Sequence, residues 1–191
     1  MAYLPDGCAT YERYREGSGE DLIIDFEKAY RQDANVHRNV DEKMAEAIRA
    51  ALEYYGMTGN NSFSLTGSGT GSTHYPCTEN WQKAIGGHVL WNSMDVSVSE
   101  STMTIEVTVH ELDRYNFDAG KQDIATGTSD EVNGRFEKAG WAKSFLTRGT
   151  VTREIVIDLD SADSTNISLS ADSVTVKGEP RVVINLEGEN R

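Results

Sequence analysis

The hydrophobic period of this chain changes at Gly86, and no other feature constrains its fold as tightly. Beyond that point Met94, Val96 and Val98 alternate with Asp95, Ser97 and Ser99. Met103, Ile105, Val107 and Val109 then alternate with Thr104, Glu106, Thr108 and His110. A side-chain period of two puts one face of a strand in the core and the other in water. The Glu100-Ser101 connection is too short for a parallel crossover, so the two runs predict an antiparallel hairpin with one dry face. Val151 to Leu159, Ile167 to Leu169, Val174 to Val176 and Val182 to Leu186 are expected to add further strands.

Before Gly86 the period is helical. Met44, Ala45, Ile48, Ala51, Leu52 and Tyr55 form one apolar stripe, with Asn39 or Asp41 placed to cap the helix and Gly56 to stop it. Residues 1–20 are rich in Tyr, Gly and charge, with a turn at Gly17-Ser18-Gly19. Asp21 to Arg31 has helical spacing, although Ile23-Ile24 suits a short strand. Ser62 to Leu65 alternates like a strand. Ser129 is placed to cap a helix over 130–148 that Gly149 would stop, with Gly134 and Gly140 permitting two shorter pieces. This order predicts an α+β fold: an antiparallel sheet with helices packed on one face, a helical N-terminal segment and a strand-rich C-terminal half. The expected organisation is one domain over 1–157, with a helical front at 1–60 and a sheet-rich back at 86–157. Residues 158–191, with seven acidic and three basic side chains, are expected to form an acidic hairpin extension or tail.

Charge narrows the function classes. The 191 residues carry 31 Asp and Glu against 18 Lys and Arg, a net of -13. Phosphate neutralisation needs clustered bases, so a nucleic-acid partner is not expected, nor is docking on an anionic membrane. No apolar window reaches the length of a transmembrane segment. The opening residues show no basic region followed by an apolar core, so no signal peptide is expected. An exported product would therefore need a carrier or a dedicated machine.

No cofactor and no metal is expected. Cys8 and Cys77, far apart in sequence and without a CxxC companion, form either one disulfide or two free thiols. His37, His74, His88 and His110 lack the spacing of a helical metal pair. Asp158, Asp160 and Asp163 lie close together, but the glycine and distal glutamate of a calcium loop are missing, so a solvated turn is expected. The small-residue run Thr66 to Thr73 has no lysine to complete a phosphate loop and reads as a connector.

The densest group of chemistry-bearing residues is Val109 to Asp118, which holds His110, Glu111, Asp113 and Asp118. Two such groups could act as general acid and base if burial or like charge moved their pKa values apart. His110, Asp113, Asp118 and, from the later helix, Arg135 are the candidate catalytic residues. A scaffold reading competes: Tyr115 and Phe117 as core anchors, Asp113 and Asp118 as turn formers, Arg114 as an ion-pair partner, and Glu131 with Arg135 as a helical pair. A carbohydrate-active enzyme would instead place two carboxylates across a cleft bearing Trp81, Trp91 or Trp141. Whether the chain is an enzyme stays open at this level.

Four segments together resemble a known class. They are Thr78 to His88, Asp113 to Gly120, Asp123 to Gly127 and Asn133 to Glu137, preceded by Tyr14-Arg15-Glu16-Gly17-Ser18-Gly19-Glu20. Over about residues 10–156 this pattern resembles the C-terminal domains of bacterial polymorphic-toxin proteins, which end Rhs-type and other large secreted carriers. The resemblance implies an antibacterial effector used in interbacterial competition and delivered by a secretion system or carrier polypeptide. Its implied partners are that carrier and a cognate immunity protein. The nuclease, deaminase and peptidase signatures of the class are missing, so the resemblance carries over no catalytic residue. The alternative is a non-catalytic binding or structural module of a secreted or phage-like particle.

Overall fold

A computed structural model describes residues 3–69, 73–117, 120–122, 127, 129–160 and 174–177. The helices are α1 (Pro5–Glu16), α2 (Phe26–Gln32), α3 (Ala34–Thr58), α4 (Glu79–Ile85) and α5 (Glu131–Lys138). The strands are β1 (Leu22–Ile23), β2 (Ser62–Thr66), β3 (Val89–Ser99), β4 (Thr102–Tyr115), β5 (Phe145–Asp158) and β6 (Val174–Lys177). They form one mixed sheet in the order β1-β5-β4-β3-β2, with β6 also paired to β5. The β1 pairing is parallel, and those of β2 and β6 are antiparallel. The fold is α+β, as the change of period predicts. The expected strands at Ile167 to Leu169 and Val182 to Leu186 lie outside the described residues.

The chain divides into two compact units. The first comprises 1–37, 71–89 and 111–149; the second comprises 38–70, 90–110 and 150–191. The second is built on alternation. Met94, Val96, Met103, Ile105, Val107, Val109, Val151, Ile155 and Ile157 are buried, while Asp95, Ser97 and Glu106 between them are exposed. Val40, Met44, Ile48 and Ala51 of α3 are also fully buried. Asn92, on the dry face of β3, donates its side-chain amide to the Lys43 carbonyl at 3.0 Å, which fixes the helix on that face. The apolar area removed from water is the main driving force for this unit.

The first unit is held by side chains that satisfy helix ends. Leu4, at the start of α1, offers no side-chain acceptor. Asn80 of α4 supplies it instead, accepting from the Asp6 and Gly7 amides at 3.0 and 3.2 Å. A Cβ on Gly7 would sit 2.8 Å from Lys83 Cβ, so glycine is what lets α1 and α4 approach. Asp33, 1 % exposed, serves two helices at once. It accepts from the Asn35 and Val36 amides of α3, and from the Cys77 and Thr78 amides and the Thr78 hydroxyl at the start of α4. Burial opposes ionisation of Asp33, but these donors hold its carboxyl below the usual aspartate range. Tyr14, Ala142 and Phe145 are buried in an aromatic cluster with Tyr11, Tyr115, Phe117 and Phe136 packed against them.

Three boundaries depart from the sequence expectation. Helix α3 starts at Ala34, capped by Asp33 and not by Asn39 or Asp41, because the Asp33 carboxylate collects its free amides. It passes through Gly56 and ends at Thr58, before Gly59 at φ +65°. The helix expected to run as far as residue 148 stops at Lys138, with Gly140 at φ +75°. Phe145 and Leu146 then open β5, where burial alternates from the first residue. Within the expected helical front, α1 ends at Glu16 and Gly17 follows at φ +74°, at the turn read from Gly17-Ser18-Gly19.

Candidate functional site

The first unit contains a cavity of about 670 Å³. One wall is the end of β4, where Asp113, Arg114, Tyr115, Asn116 and Phe117 follow one another as the strand gives way to irregular chain. Helix α1 contributes Cys8, Tyr11 and Glu12. Helix α4 and the turn after it contribute Gln82, Lys83, Gly86 and Gly87, and Asp130 and Asn133 come from the start of α5. A Cβ on Gly87 would lie 2.7 Å from the Tyr75 ring, so only glycine lets that ring settle on the backbone at the cavity wall. Gly86 leaves α4 at φ +48° beside the Asp113 carboxylate.

The aromatic wall is fixed by its own contacts. Tyr115 stacks on Phe145 with centroids 5.3 Å apart, and Phe117 lies 5.0 Å from Tyr14. The Tyr11 hydroxyl donates to Asn133 Oδ1 at 3.1 Å, and that of Tyr14 to the Asn133 carbonyl at 3.3 Å. Burial, with Glu137 nearby, pushes the Tyr14 phenol up to about 12. Arg114 donates to Ser144 Oγ at 3.0 Å, and Ser144 donates to Glu137 at 2.8 Å.

Glu111 and His88 are further buried titratable groups of this unit. Glu111 is 1 % exposed and accepts from the Thr147 hydroxyl at 3.1 Å; its Oε2 has no partner among the described residues. Burial, assisted by the Asp113 charge, pushes the Glu111 carboxyl up to about 8. His88 is fully buried between Phe26 and His74, its Nδ1–H donating to the Gly86 carbonyl at 3.2 Å, and burial brings it down to about 4. At neutral pH both are uncharged.

Of the four residues singled out in the sequence, Asp113 lines the cavity. Arg135 is exposed on α5 and is not part of the lining. His110 is three positions from Asp113 on β4, so the two side chains leave opposite faces of the strand. It belongs to the second unit, stacked on Trp91 at 5.1 Å with Nε2 2.8 Å from the Ser93 hydroxyl, and burial lowers its pKa. Asp118 lies outside the described residues, as do 123–126 of the quoted segments. Glu111 is one of the four acid/base-capable groups in the stretch Val109 to Asp118, but not one of the four candidate catalytic residues. The signal for it was register: it continues the buried series 103, 105, 107, 109, where a carboxylate is out of place.

Cys8 and Cys77 are free thiols. The Gly67 amide, which a phosphate cradle would need, donates to the Asn92 carbonyl at 2.8 Å. None of the three tryptophans lines the cavity, with Trp81 in the core and Trp141 66 % exposed. Among the described residues no group of three His, Cys, Asp or Glu side chains is placed to hold a metal ion, and no helix is long and apolar enough to cross a membrane. The chain matches no protein-family model, no curated protein and no solved structure.

Proposed function

We propose that the chain is an antibacterial effector domain, delivered by a carrier polypeptide or secretion machine and restrained by an immunity protein, and that the cavity of its first unit is the working site. One observation carries this reading. Three of the segments on which the toxin resemblance rests, around Gln82 to Gly87, Asp113 to Phe117 and at Asn133, converge on the same cavity although they are distant in sequence. Residues that served only the core would have no reason to gather their polar side chains around one concave surface.

The test is expression in the bacterial cytoplasm and, behind an added export signal, in the periplasm. Growth arrest in one compartment, relieved by Asp113→Ala with the protein still folded, is the expected result. Folded protein in both compartments with no growth defect would overturn the proposal. A second reading, a non-catalytic binding module, draws on the separation of His110 from Asp113 onto opposite faces of β4. It predicts retained binding and no arrest.

A further inference from the structure

Among the described residues that line the cavity, acidic and basic side chains occur together: Glu12, Asp113 and Asp130 with Lys83, Arg114 and Lys121, Lys83 being paired with Glu79 at 2.9 Å. A phosphate or carboxylate ligand needs an excess of donors and positive charge, and a cation needs the reverse. A lining that mixes acceptors with donors suits groups that do both, and a hydroxyl both donates and accepts. The amides of Gln82, Asn116 and Gln122 add the same dual capacity. Beside them stand aromatic faces. Tyr75 is 51 % exposed at the cavity, and Tyr115 and Phe117 are held rigid by the stacking described above. Such rings offer apolar surface to the C–H face of a pyranose, and their fixed geometry lowers the ordering cost of binding. The volume falls within the range of small-molecule sites.

We infer that the cavity binds an uncharged, hydroxyl-rich ligand: a short oligosaccharide. The inference rests on the reading of this cavity as the working site, but its test does not use toxicity. Purified protein is titrated with maltotriose, cellotriose and triacetylchitotriose, and in parallel with inorganic phosphate, adenosine monophosphate and glycylglycine. Amide shifts are followed at Gly86, Gly87 and Asn116, and the alkylation rate of Cys8, at the wall of the cavity, is followed by peptide mapping. At least one trisaccharide is expected to give saturable shifts at about millimolar concentration or tighter, and to slow Cys8 alkylation. Tyr75→Ala, at an exposed ring, is expected to weaken that binding roughly three- to tenfold without loss of fold. Saturation by phosphate or the nucleotide with the sugars silent overturns the inference in favour of an anion site. Saturation by the dipeptide alone overturns it in favour of a zwitterion site, and silence from every probe overturns it outright. A sugar bound by a protein that does not arrest growth would leave this inference standing and sink the effector reading; arrest without sugar binding would do the opposite.

Discussion

The interiors of the two units are made of different materials. In the second, Met44, Ile48, Ile105, Val107, Ile155 and Ile157 are fully buried aliphatic side chains, and hydrogen bonding by side chains is a minor part of what holds them. In the first, Tyr14, Trp81, His88, Asp33 and Glu111 are equally buried, and most are fixed by named donors or acceptors. Aliphatic burial is non-directional and tolerates small shifts, whereas a buried polar group is costly once its partner is removed. The unit with the directional interior holds the cavity described above. A wall whose side chains are held by hydrogen bonds and ring contacts keeps its shape around an empty volume, which a purely aliphatic lining would tend to close.

The most severe way to break this comparison is Asp33→Ala. The substitution leaves the amides of Asn35, Val36, Cys77 and Thr78 without their acceptor, at about 1–3 kcal/mol for each one that stays buried. A total loss of about 4 kcal/mol or more is expected in chemical denaturation. In hydrogen exchange, α1 and α4 should lose protection while β2 and the Met103 to Val109 part of β4 keep theirs. Uniform loss along the whole chain would mean that the two units open together and that their difference in composition has no energetic counterpart.

That contrast also decides how much of the molecule was legible in its sequence. The second unit could be read because its information is periodic: every second residue from Met103 to Val109 is apolar, and the stripe from Met44 to Tyr55 is helical. The first unit could not, because its information is pairwise. Asp33 looks like any loop aspartate until Cys77 and Thr78, more than forty positions later, are brought to it. Helix α1 has too few apolar positions to announce itself and takes its cap from Asn80. The candidate site was legible in part. The stretch from Asp113 to Phe117 was found by its density of functional groups, and the strand period itself would have separated His110 from Asp113.

The pH dependence of stability sharpens the comparison, since Glu111 and His88 both belong to the first unit. An unfolded chain carries Glu111 near its ordinary 4.5, whereas the folded protein holds it at about 8. Between those values the unfolded state binds fewer protons, so Glu111 costs stability progressively as pH rises from about 4.5 to about 8. His88 falls from 6.5 to about 4 on folding, so its contribution is full above 6.5 and is lost as pH drops toward 4. The two slopes oppose each other between about 4.5 and 6.5, where stability should be nearly flat. Glu111→Gln keeps an acceptor for Thr147 and removes the alkaline limb. It should stabilise the protein at pH 8 by on the order of 1–3 kcal/mol and change little at pH 4.5. Equal effects at the two pH values would show that Glu111 is not buried as a neutral acid.

The smallest effect belongs to the second unit, where a polar pair sits on the sheet face that the aliphatic core does not use. Ser93 and His110, on β3 and β4, share a hydrogen bond of 2.8 Å, and the imidazole is stacked on Trp91. Ser93→Ala removes one partner but leaves His110 its ring contact and access to solvent, so the cost should be about 1 kcal/mol or less. Its informative readout is the imidazole itself. If Ser93 merely accepts from His110, the substitution removes a bond that steadies the ring, and the His110 resonances should show broader rotameric averaging with little change in growth phenotype. A growth effect as large as that of Asp113→Ala would instead move the working site out of the cavity and onto this sheet face, reversing the assignment of function between the two units.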